Sequence, residues 1–81
     1  MESFTGYVRD LDFIANSGWC QVILYNGTDQ LVAATKEHRM QTLLELAFAT
    51  GKPAEVMYET GERPYTLTRV KVNAEAPPPS R

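Results

Sequence analysis

Soft metal ligands are nearly missing from this chain: Cys20 is its single cysteine and His38 its single histidine. A disulfide needs two thiols and a zinc centre draws three or four ligands, mostly Cys and His, so one chain can build neither, and no metal or cofactor is expected. Long apolar runs are missing too. No stretch approaches the ~20 residues that a membrane-spanning helix requires, so no membrane partner is expected. The opening MESFTGYVRD has neither the basic nor the apolar region of a secretory leader, and the expectation is a cytoplasmic protein. There is no excess of positive charge: eight Lys and Arg against ten Asp and Glu give a formal charge of -2. That balance disfavours a general nucleic-acid binder, which neutralises phosphates with clustered cations, but it is compatible with a local basic patch. No Gly-rich phosphate loop, Walker pattern or metal-ligand spacing occurs.

What is present is organised around Thr35 to Pro53, TKEHRMQTLLELAFATGKP. Thr35 has the hydroxyl of a helix cap, Glu37 places negative charge near the positive end of the dipole, and Met40, Leu43, Leu44 and Ala47 recur at three- and four-residue spacing. Gly51 followed by Pro53 ends the pattern. The spacing predicts one helix near residues 36–50.

Everything else reads as strand, turn or tail. Tyr7, Leu11 and Phe13 alternate with Asp10 and Asp12 along a first strand beginning near Thr5; Arg9 falls on the apolar side, marking the strand's open end or a bulge. After the Asn16-Ser17-Gly18 turn, WCQVILY (Trp19 to Tyr25) is apolar on both faces with only Gln21 clearly polar, which predicts cover on both sides. Asn26-Gly27 marks a hairpin turn, and Leu31 to Ala34 form a short third strand. Ala54 to Glu59 alternate as a fourth. Past the Thr60 to Pro64 loop, Thr66 to Asn73 form a fifth, with Val70 and Val72 on one face and Leu67, Arg69 and Lys71 on the other. Arg69 and Lys71 are candidate cross-sheet partners for Asp10 and Asp12. AEAPPPSR has nothing to anchor it, so residues 1–73 read as one small β-barrel domain and residues 74–81 as a disordered Pro-rich tail.

The order β-β-β-α-β-β over residues 5 to 73 resembles small OB-fold modules, including ring-forming toxin B-subunits. The resemblance rests on element order and carries over no binding residue. It implies a mainly β fold with one α-helix, a small five-stranded antiparallel OB-like barrel. The competing architecture is an open antiparallel sheet with the helix on one face, an α+β fold.

Catalysis needs a nucleophile or an acid-base pair with groups to orient it, and Cys20 in an apolar strand and His38 in the first helical turn are not such a set. The chain is therefore read as a non-enzymatic binding or interaction module with no catalytic residue; a small hydrolase or isomerase ranks third. Tyr7, Arg9, Trp19, Tyr25, Arg69 and Lys71 combine aromatics with cations, the mixture that stacks bases and holds phosphates, and are the candidate ligand-binding residues of the second reading, a single-stranded nucleic-acid or oligosaccharide binder. Most of these aromatics have a simpler use in the core or at a barrel mouth. With 81 residues, the domain buries only about 60% of the surface its unfolded chain exposes, which points to a homo-oligomer, a ring or dimer. Ile23, Leu46, Phe48 and Leu67, apolar yet off the main stripes, are the candidate interface.

Overall fold

The computed structural model of the protein describes residues 2–72; the tail expected to be disordered, 74–81, lies outside the described residues. Five strands and one helix follow in order: β1 (Glu2–Phe13), β2 (Cys20–Tyr25), β3 (Gln30–Thr35), α1 (His38–Thr50), β4 (Ala54–Glu59) and β5 (Tyr65–Val72). The strands close into a barrel in the order β1-β2-β3-β5-β4. This is a small OB-like barrel and not an open sheet. All pairings are antiparallel except β3 with β5, which run parallel through Ala33 to Tyr65 and Ala34 to Thr66.

Closure depends on β1, which pairs with β4 through Glu2 to Gly6 and with β2 through Tyr7 to Phe13. The register with β2 shifts between Val8 and Asp10, so Arg9 is a bulge, as the misplaced cation in the sequence suggests. The bulge corrects the face assignment upstream. Val8 is buried opposite Leu24, whereas Tyr7 pairs with exposed Tyr25 on the outside; Leu11 turns inward beyond the bulge, and Phe13, at the strand end, stays largely exposed. A second shift, between Met57 and Tyr58 of β4, leaves Thr68 as the extra residue of β5. Leu67 consequently points into the barrel and is 3% exposed, overturning its expected outward position. Asp10 and Asp12 pair with Ile23 and Gln21 of β2, while Arg69 and Lys71 pair with Met57 and Glu55 of β4; the two sets are not cross-sheet partners.

The core gathers Val22, Leu24, Leu31, Ala33, Ala54, Val56 and Leu67 from the strands with Leu44 and Ala47 from α1. Met40 and Leu43 pack against it half-buried, so the helical stripe read from spacing is the one buried. The helix starts later than expected. Thr35 is still paired with Cys20 in the ladder; the N-cap residue is Glu37, whose carbonyl accepts the Gln41 N–H (3.0 Å) while its own N–H donates to the Thr35 hydroxyl (3.0 Å). The end is as expected, Gly51 adopting the left-handed conformation (φ 71). Trp19 to Tyr25, expected to be covered on both faces, is sealed only inside: Cys20, Val22 and Leu24 are buried, Ile23 is half-buried and Tyr25 exposed.

Gly6 marks the point where β1 changes partner. A Cβ there would lie 2.8 Å from the Tyr25 carbonyl oxygen and 2.9 Å from its carbon, backbone atoms with little freedom to move. Gly6→Ala is expected to cost about 1 to 3 kcal/mol, as overpacking of a tight site does. Urea unfolding measures it; an unchanged midpoint would show that the strands separate without penalty.

Candidate functional site

The loop joining β1 to β2 is built to present Trp19. Ser17 donates its hydroxyl to the Ile14 carbonyl (2.8 Å) and accepts the Trp19 N–H (3.1 Å), while the Ile14 N–H donates to the Trp19 carbonyl (3.2 Å). Asn16 and Gly18, at φ 70 and 78, supply the left-handed residues this turn requires. From the helix, buried Gln41 donates its amide to the Gly18 carbonyl (3.1 Å) and to that of Thr35 (3.2 Å), tying loop, β3 and α1 together. Trp19 is thereby fixed beside β2, and Lys36 sets its ammonium 5.1 Å from the ring centroid, within cation–π range.

Between this loop and the β4–β5 loop lies a cleft of about 420 Å³, lined by Ser17 and Trp19 on one side, Glu62 and Arg63 on the other, and Gln21, Ala34 and Thr66 along its floor. The floor is one row of the sheet: Asp12 pairs with Gln21, Gln21 with Ala34, and Ala34 with Thr66. Arg63 is pre-oriented, its Nε donating to the Tyr65 hydroxyl (3.3 Å) with the guanidinium 5.6 Å above the same ring. Tyr65 in turn stacks on Tyr58, centroids 5.3 Å apart.

At the other end of β2 a second cavity, of about 450 Å³, is lined by Tyr7, Arg9, Tyr25, Asn26 and Gly27 among others. The bulge brings the Arg9 guanidinium 4.9 Å over the Tyr25 ring, and the Tyr25 hydroxyl donates to the Gly27 carbonyl (3.1 Å). Asn26 shapes the turn, its side-chain oxygen accepting the N–H groups of Thr28 (2.9 Å) and Asp29 (2.7 Å). Trp19 and Tyr25 thus end one outward row that also holds Gln21 and Ile23. Six steps along the chain from Trp19 to Tyr25 set their backbones roughly 20 Å apart.

Of the six candidate ligand residues, Tyr7, Arg9 and Tyr25 come together, and Trp19 stands at the far end of the same row. Arg69 and Lys71 line neither cavity and stay on the exposed side of β5. The four candidate interface residues do not form one surface. Leu67 is interior, Ile23 is half-buried on β2, and Leu46 and Phe48, 50% and 53% exposed, sit two positions apart on a helix. At about 100° per residue that spacing puts them on opposite sides of α1. Gln21, Lys36, Glu62 and Arg63 are not among the residues that the sequence pattern marks for a site. Only Gln21 had a signal, as the lone clearly polar residue of an apolar strand.

His38 lies exposed at the start of α1 and Cys20 is buried, so the two potential reactive side chains have different surroundings and share no cavity described above. Among the described residues no three His, Cys, Asp or Glu side chains gather as metal ligands. No helix among them is long and apolar enough to cross a membrane. No family model matches the sequence, and no curated protein matches it.

The Cys20 thiol is pushed above its ordinary value of 9.0, first by burial and then by the negative charges of Glu45 and Asp12. The unfolded chain therefore releases this proton at a lower pH than the native protein does. Above the unfolded value the unfolded state binds fewer protons, so stability falls as pH rises toward and through the folded value. Between about pH 8 and about pH 10, bracketing the ordinary thiol range, the native protein is expected to lose more stability than Cys20→Ala in urea unfolding. Equal losses would mean that Cys20 titrates alike in both states.

Proposed function

We propose that the protein is a non-enzymatic binding module that takes single-stranded nucleic acid along the outer face of β2 and β3. One observation carries this reading: the outward row of β2 is bounded by two aromatic rings, Trp19 and Tyr25, each with a cation about 5 Å from its face. Stacking platforms combined with cations are how single strands are held, because every base has a π face and every linkage a negative charge. The position agrees with the way OB-like barrels work, binding oligonucleotides and oligosaccharides on the strand 2–3 face between the β1–β2 and β4–β5 loops. Asp10 and Asp12 flank the row and the formal charge is -2, so affinity rests on stacking more than on bulk attraction for phosphate.

Fluorescence anisotropy with a labelled oligonucleotide of about 12 nucleotides, within the usual site size, tests the reading. Trp19→Ala is expected to weaken binding by about 1 to 3 kcal/mol. Three cations, Arg9, Lys36 and Arg63, predict a log–log salt slope of about -2, at ~0.7 per phosphate contact. No binding, or binding indifferent to Trp19, rejects the reading. Affinity for neutral oligosaccharides without a salt slope would instead favour a sugar ligand.

Self-association is a second reading: Phe13, Ile14, Leu46 and Phe48 are each about half open (57, 48, 50 and 53%), and since Leu46 and Phe48 face opposite ways, it is Phe48 that is taken to lie in the contact. Sedimentation equilibrium at micromolar concentration is expected to give a mass above the monomer, lowered by Phe48→Glu, since a carboxylate in an apolar interface costs several kcal/mol. A monomer mass for the native protein removes it.

A further inference from the structure

Two glutamines lie close to the β1–β2 loop in contrasting states. Gln41 is buried and spends its amide on the Gly18 and Thr35 carbonyls. Gln21 is half-buried on the cleft floor, and its amide has no hydrogen-bond partner among the described residues. The amide faces the open cleft, where it can bond a ligand without first giving up an internal partner. Its row neighbour Ala34 is small, which leaves open space between Gln21 and Thr66 on a floor walled by Trp19. Across the cleft stands Glu62, beside Arg63.

We infer that this cleft is a base-selecting subsite in which Gln21 and Glu62 favour the nucleobases that bear an exocyclic amino group, adenine, cytosine and guanine, over thymine, which has none. The inference rests on the single-strand reading of the same face and adds to it a preference that stacking alone does not supply. A carboxamide offers one donor and one acceptor side by side, which match the N6 amino group and N7 of adenine and equally N3–H and O4 of thymine, so Gln21 holds a base edge and the choice falls to Glu62. An ionised carboxylate only accepts, so it attracts an amino group, whereas the single N–H on thymine's edge is flanked by two carbonyl oxygens that it repels. Cytosine satisfies the same carboxylate through its N4 amino group. Trp19 provides the ring face, and Arg63, held by Tyr65, provides a cation for the adjoining phosphate.

Competition anisotropy with oligo(dA), oligo(dC) and oligo(dT) octamers tests it. The adenine and cytosine octamers are expected to bind about tenfold more tightly than thymine, the discrimination typical of one good polar base contact. Glu62→Gln, on an exposed loop, should bring that ratio within about twofold, whereas Gln21→Leu, which keeps the side chain's bulk, should weaken the octamers more nearly alike. If Gln21→Leu fails to fold, Glu62→Gln decides alone. Equal binding of the three octamers by the native protein, or a ratio that survives Glu62→Gln, overturns base selection while leaving single-strand binding standing. Failure of every octamer to bind overturns the single-strand reading itself, and the selection with it.

Discussion

Closure of the barrel through one long strand is the constraint on which the rest of this structure depends. β1 has to supply hydrogen bonds to β4 with its first half and to β2 with its second. A strand that serves two neighbours must bend between them, and backbone then approaches backbone so closely at Gly6 that no side chain fits. The Arg9 bulge follows just after the bend, adding local twist and turning a cation onto the outer surface over Tyr25. One geometric requirement thus produces the buried glycine, the reversal of face along β1 and one of the two cation-bearing rings.

The opposite end of the face is organised by hydrogen bonds. Backbone groups in the β1–β2 loop need partners, and Ser17 and Gln41 supply them. Gln41 reaches from the helix, so the loop that positions Trp19 is braced by an element far away in sequence. Lys36 belongs to the same assembly, since the chain leaves β3 beside the loop and its first residue afterwards lies over the Trp19 ring. A rigid aromatic on a braced loop can bind without first being ordered, which lowers the entropic cost of holding a ligand. Mixed charge around the face weakens indiscriminate attraction for polyanions, so under the proposed reading stacking and directed polar contacts would decide what binds.

Legibility from sequence followed the range of the interactions involved. The helix was readable because its stripe, its Gly51 end and its Pro53 stop are all local, and β4 was found at its true boundaries for the same reason. The start of α1 was misplaced by two residues because Thr35 was claimed by a cross-strand pairing with Cys20. Strict alternation assumes an unbroken register and so puts Leu67 and Tyr7 on the wrong faces; the bulges at Thr68 and Arg9 each reverse the parity beyond them. Four of the six candidate ligand residues do belong to the two cavities. Arg69 and Lys71 do not, since the pairing order sets β5 between β4 and β3 and its cations face away.

By itself the sequence determined the kinds of element, their order and the buried stripe of the helix, because periodicity, caps and turn residues act over a few positions along the chain. It also determined that one chain has no second thiol with which to form a disulfide. Only the tertiary structure decided that the sheet closes, that β3 and β5 run parallel, and that Gln21, Glu62 and Arg63 share a cleft beneath Trp19. Those relations join residues tens of positions apart, and they depend on register. A single bulge changes register without leaving a distinctive mark in composition or spacing.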